Sequence, residues 1–163
     1  MSGMFSNTLF SGDVSNWDVS SVSDMTQMFA NSQFDGDVSK WDVSSVTFMP
    51  GMFGGSSFDG DVSNWNVSSV LNMSGMFQYT RFGSDVSGWN IASVTHMSEM
   101  FAETPPMPVA TYDALLISWA GQAVQARVSF HAGTSQYSSS AAMARQTLID
   151  AHEWLIVDGG LLQ

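Results

Sequence analysis

The chain has 163 residues, no cysteine, and a formal net charge of -11 from 15 Asp and Glu against 4 Lys and Arg. Lys40, Arg81, Arg127 and Arg145 are widely spaced. They form no basic footprint of the kind that nucleic-acid phosphates or an anionic membrane surface require, and the lack of thiols excludes disulfides, thiolate metal sites and a cysteine nucleophile.

The length suits one domain or one short repeat array with a cap. No apolar run is long enough to span a bilayer. Residues 1–10, MSGMFSNTLF, carry neither the basic start nor the sustained apolar core of a signal peptide, so no secretion signal is expected here.

From its first residue the chain repeats itself with a period of 24: Trp17, Trp41, Trp65 and Trp89 share one column, and Val14, Val38, Val62 and Val86 another. Every methionine except Met107 and Met143, and every phenylalanine except Phe48 and Phe130, falls in such a column. A register without insertions predicts stacked, near-identical coils. Within one coil, Val14-x-x-Trp17-x-Val19-x-x-Val22 fits the leucine-rich-repeat core pattern. Its alternation predicts a short strand with Trp17 and Val19 inside and Asn16, Asp18 and Ser20 outside. Stacked coils would set such strands in parallel, roughly 4.8 Å apart.

The return side, Val22-x-x-Met25-x-x-Met28-Phe29, has helical spacing. Pro50 stands where the other coils carry Thr26, Ser74 and Ser98, which limits that helix to about one turn near 50–54 and its equivalents. Gly12, Gly36 and Gly60 are expected to supply tight backbone angles in the reversing loop; Gly83-Ser84 alters the last one.

Pro105, Pro106 and Pro108 end the array, giving regular repeats with a partial first coil over 1–104 and a capping segment over 105–163. Tyr112, Leu115, Leu116, Trp119 and Ala123 mark an amphipathic helix. Val128 and Phe130 suggest a strand, residues 138–152 a second helix with Ala141, Leu148 and Ile149 inward, and Trp154 and Ile156 a last strand. The two strands should extend the parallel sheet through right-handed crossovers, and the helices should shield the end of the core. The expected fold is therefore α/β: a right-handed, leucine-rich-repeat-type solenoid of 24-residue coils with short parallel strands and an α/β C-terminal cap.

The columns W-[DN]-[VI]-[SA]-S-V-x-x-M-x-x-M-F over residues 1 to about 101 resemble the BspA-like leucine-rich-repeat surface proteins of bacteria. The stretch from YDALLISWAGQ to WLIVDGG is similar to the segment that closes many of that family. The resemblance implies a surface-displayed, non-enzymatic adhesion or interaction role, with no catalytic residue to carry over.

Three surfaces are candidates for function. Asp13, Asp37, Asp61 and Asp85 stack beside the reversing loop; such a column would either hold Ca²⁺ or accept backbone N–H bonds within each turn, and the second is expected, with no metal. Asn16, Asp18, Lys40, Asp42, Asn64, Asn66 and Asn90 make a polar row on the exposed strand face, expected to be a docking face or a solvated one. Met4, Phe5 and Phe10 belong to a coil without a preceding strand, and are expected to be an assembly contact at an open N-terminal end. His96, His131 and His152 have no metal-protease spacing, no nucleophile elbow surrounds any serine, and Glu99 and Glu103 lack a partner carboxylate. No cofactor is expected. The expected function is a non-enzymatic binding or adhesion module making protein–protein or glycan contact on an outer surface, either of a cell or, as decoration of a larger assembly such as a phage capsid or tail, of a virion. The expected partner is a protein or neighbouring subunit, in a homo-oligomer or larger assembly, with no nucleic acid and no membrane insertion.

Overall fold

The computed structural model describes residues 1–163, and every regular element in it lies beyond the prolines. These are α1 (Val109–Ala120), β1 (Ser129–His131), α2 (Ala142–His152) and β2 (Leu155–Val157). In the array, successive 24-residue units lie against one another through backbone hydrogen bonds. Alternate N–H groups of one unit donate to carbonyls of the next: Met25 to Phe48, Gln27 to Pro50, Phe29 to Met52 and Asn31 to Gly54, at 2.8–2.9 Å. The same four positions of the following unit bond to Asn72, Ser74, Met76 and Gln78. Isolated parallel bridges link Asp24 to Phe48, Phe48 to Asn72, and Asn72 to His96.

The expected strand through Trp17 and Val19 does not form. Tight turns occupy that stretch, closed by the Trp17 N–H on the Val14 carbonyl at 3.0 Å and the Val22 N–H on Val19 at 2.9 Å. Parallel pairing sits instead at the Asp24 column. The one-turn return helix is also absent. An α-helix would consume its N–H groups in bonds to the fourth residue back, whereas here alternate groups are committed to the next unit. Two columns of that stretch also adopt positive φ: Gly3, Gln27, Gly51, Gly75 and Glu99, then Asn7, Asn31, Gly55, Tyr79 and Glu103. Left-handed residues cannot sit inside a right-handed helix.

Gly12, Gly36 and Gly60 serve differently from expectation. None has a positive φ. A Cβ there would lie 2.9, 2.7 and 2.7 Å from the Phe10, Phe34 and Phe58 rings, so glycine is required by the close approach of an aromatic ring.

The methionine and phenylalanine columns fill the interior. Paired rings stack within a unit, Phe29 on Phe34 and Phe53 on Phe58 at 3.8 Å. They continue between units, Phe29 to Phe53 at 5.8 Å and Phe53 to Phe77 at 5.9 Å. Trp41, Trp65 and Trp89 are buried, and each indole N–H donates to the preceding unit at 3.0 Å, to Val14, Val38 and Val62. A buried indole N–H needs such an acceptor. Trp17, expected inside, is 36% exposed, because no unit lies over it.

The cap continues the ladder. Phe130 of β1 bridges Met97, and β1 pairs in parallel with β2, Ser129 opposite Leu155. The Phe130 ring meets Phe101, Trp119 and Trp154 at 5.3–6.4 Å, which joins the two cores. α1 follows Pro108 at its N-cap and buries Tyr112, Leu115, Leu116 and Trp119. It stops at Gly121, so Ala123 lies outside the helix and is exposed. α2 starts at Ala142 rather than 138, because the Ser138 N–H and hydroxyl bond the Asp113 carboxylate. Its inward residue is Leu148; Ile149 is half-buried and Ala141 is the N-cap. Gln122 donates to the Trp89 carbonyl at 2.9 Å and accepts from the Ile91 N–H at 2.8 Å, clamping the cap to the last unit. Asp158, buried beneath α2, accepts from Tyr112 and Arg145, both at 2.8 Å.

Replacing Trp65 by Ala removes a buried ring and leaves the Val38 carbonyl without its donor. The expected loss is about 3–5 kcal/mol. Trp17→Ala, at the open end, should cost roughly 1–2 kcal/mol. Urea unfolding of the two variants checks the order, and equal losses would show that the tryptophans are not held by the unit before them.

Candidate functional site

The predicted polar row is exposed throughout: Asn16, Asp18, Lys40, Asp42, Asn64, Asn66 and Asn90 all face solvent. It is not the flat face of a strand. Each Asp or Asn of the Asp18 column folds back on its own turn. The Ser20 N–H and hydroxyl donate to Asp18 Oδ1 at 3.1 and 2.6 Å. Ser44 repeats both bonds on Asp42, and Ser68 repeats them on Asn66. Ala92, lacking a hydroxyl, gives Asn90 only its N–H at 3.1 Å. These are Asx turns, in which the side chain replaces a backbone acceptor. Asn16, Lys40 and Asn64 sit between the Asx columns and project freely apart from a weak Asn16 bond to the Ser15 hydroxyl.

The Asp13 column does the same work one turn earlier. The N–H groups of Ser15, Ser39, Ser63 and Ser87 donate to Asp13, Asp37, Asp61 and Asp85 at 2.8–2.9 Å. No three His, Asp or Glu side chains converge as metal ligands do. Sequence reasoning missed a third, shorter column: Asp24 and Asn72 accept from the N–H groups of Thr26 and Ser74. Their Asx-x-Ser/Thr spacing was the available signal.

These bonds favour the charged carboxylates. The Ser20, Ser39 and Ser44 side chains first, and their backbone N–H groups second, hold Asp18, Asp37 and Asp42 below the usual carboxylate range. For Asp13 and Asp61 the backbone N–H is the larger cause.

At the N-terminal end the first unit presents its apolar side. Met4 is 49% exposed, whereas Met28, Met52, Met76 and Met100 are wholly buried. Phe5 and Phe10 stack at 3.7 Å and lie on Phe29 and Phe34, with their outer side half-exposed. The Phe5 N–H donates to Met28 at 2.8 Å, as its equivalents do.

The histidines stay apart. His96 contacts Thr95 at 2.9 Å, His131 lies in β1, and His152 ends α2. Glu99 and Glu103 are exposed on the two left-handed columns.

A family model described as "Mycoplasma protein of unknown function, DUF285" matches residues 1–141. The chain belongs to that family. The match runs past the prolines through α1 and β1. No curated protein and no solved structure matches the chain.

A carboxylate whose pKa is lowered on folding stabilises the folded state above its unfolded value, near about 3.9, and loses that effect as pH falls through the folded value. The melting temperature should therefore hold level above about pH 5 and fall below about pH 4. Asp18→Asn with Asp42→Asn keeps the turns, as Asn66 and Asn90 show, and should blunt the acid fall. A steeper acid loss in that variant would contradict the charge assignment.

Proposed function

We propose that this chain is a non-enzymatic binding module acting by protein–protein contact on an outer surface, built as a right-handed leucine-rich-repeat-type solenoid of the BspA-like surface kind. The observation that carries the reading is the register of the exposed turns. The Asx turns repeat every 24 residues in unit after unit, so that Asn16, Asp18, Lys40, Asp42, Asn64, Asn66 and Asn90 form one long, preordered polar surface. Where the Asx side chains are already tied to their own turns, docking costs little entropy. Its acidic character favours a partner with complementary basic charge and speeds encounter with it.

Replacing Asp42 and Asn66 by Lys reverses the charge in the middle of that surface. Asp42 and Asn66 are exposed and bond only Ser44 and Ser68 of their own turns, so the change leaves the buried core intact. The double variant should fold and fail to capture the partner from a lysate of the source cells. Undiminished capture by a folded double variant would remove this surface from the function.

The half-exposed Phe5, Phe10 and Trp17 support a second reading, in which the chain decorates a larger assembly such as a capsid or tail. There a neighbouring subunit covers the partly exposed rings of the first unit. Sedimentation of the chain should show association that Phe5→Asp abolishes. A dilute monomer, indifferent to that change, would contradict this reading.

A further inference from the structure

The side of the array that carries the two left-handed columns is distinct from the Asx-turn surface. Its third unit has Gly51, Gly54 and Gly55 where the second has Gln27, Ala30 and Asn31. The missing side chains leave a depression of about 260 Å³ floored by backbone. Gln27 and Asn31 stand on one side of it, and Gln78 and Tyr79 on the other.

Tyr79 is the unusual member. The residue is 64% exposed, and its φ is +58°. The same column elsewhere holds Asn7, Asn31, Gly55 and Glu103. A bulky residue in the left-handed region is strained, and an exposed ring gains little from packing in return. The left-handed angle belongs to the whole column; what sets this position apart is the exposed aromatic ring placed on it.

Beyond Tyr79, starting at the next residue, Thr80, lies a second depression of about 460 Å³ lined by no hydrophobic side chain. His131 Nδ1 accepts the Gly133 N–H at 3.1 Å. The neutral ring therefore carries its proton on Nε2, which is a donor. The Thr80 and Thr104 hydroxyls are buried and donate to the Phe77 and Phe101 carbonyls, and Thr80 also accepts the Phe82 N–H at 3.2 Å. Glu103 adds acceptors, and Thr134 both kinds of group.

We propose that this face binds a neutral oligosaccharide laid along the repeat axis, with one sugar ring on Tyr79 and its neighbours in the two polar depressions. The chemistry narrows the ligand. Neither depression is lined by Lys or Arg, and the net charge of -11 repels an anion. An apolar anchor, whether a lipid or a hydrophobic peptide side chain, finds only Ala30 and the Tyr79 ring as apolar lining. Amides, hydroxyls and one imidazole offer both donors and acceptors, which matches a hydroxyl-rich ligand, and an exposed tyrosine gives a rigid amphipathic platform for the less polar face of its ring. The proposal rests on the reading of the chain as a binding module, and assigns it a ligand class and a second face.

Titration of the isotope-labelled chain with maltohexaose, cellohexaose and chitohexaose, followed by two-dimensional NMR, tests it. At least one of the three should give saturable shifts at Gln27, Gly51 and Gln78–Thr80. Tyr79→Asn, the residue that Asn31 already places in this column, should keep the fold and weaken binding by about tenfold or more. Gly51→Gln, which copies Gln27 into the notch at a φ that Gln27 tolerates, should weaken it likewise. The Asp42→Lys/Asn66→Lys chain should bind the sugar as the parent does, so failure here is separable from failure of the protein-docking surface. No saturable shift with any of the three at millimolar concentration, shifts confined to other residues, or binding undiminished in Tyr79→Asn would overturn the proposal.

Discussion

Each unit of the array hands its alternate N–H groups to the carbonyls of the next, and almost every other feature of the chain follows from that exchange. Donors at the positions of Met25, Gln27, Phe29 and Asn31, with the Thr47 and Phe48 N–H groups running back to Ser23, fix the units in register. With the register set, identical side chains must stack on one another, so each column needs a residue that packs against itself. Phenylalanine and methionine meet that condition. Tryptophan meets it only because its indole N–H reaches the carbonyl of the preceding unit. The left-handed residues at Gln27 and Asn31 also belong to this exchange, since they turn the backbone so that alternate N–H groups face the neighbouring unit instead of their own turn.

Much of this was legible in the residue columns. Period, stacking, the interior placement of Met28, Phe29 and Trp41, the proline boundary, and the helix–strand–helix–strand order of the cap all follow from residue type and spacing. The local backbone did not. Val14-x-x-Trp17-x-Val19 alternates like a strand, yet the same burial pattern arises from consecutive tight turns, because a turn also sends neighbouring side chains to opposite sides. Met25-x-x-Met28-Phe29 spaces like a helix, and its hydrogen bonds leave the unit. Periodicity reports which side chains are buried, and cannot say where N–H groups go. Gly36 shows the same limit: its role depends on a ring two residues away, which no backbone-angle argument finds.

The exposed surfaces divide by the same logic. The turn bonds of the Asp13 column were expected from the sequence, whereas the Asp18 column read as an exposed strand face and proved to close turns on the serine two residues on. The depressions beside Tyr79 were not visible, because the stretch near 50–54 read as a turn of helix and the gap at Gly51, Gly54 and Gly55 exists only once the units are stacked. Only then do three glycines in one unit become a gap between the side chains of its neighbours. A repeat surface therefore carries its specific features where one unit departs from the others.

The inter-unit exchange is tested most directly by native-state hydrogen exchange, residue by residue. The amides of Gly51 and Gly75 donate to Ser74 and Ser98 across unit boundaries; those of Ser45 and Ser69, on the outer turns, have no backbone partner. The account predicts that Gly51 and Gly75, although they lie in tight turns near the surface, exchange as slowly as the buried Phe53 and Phe77 amides, while Ser45 and Ser69 exchange fast. Gly51 and Gly75 exchanging at the rate of Ser45 and Ser69 would contradict it.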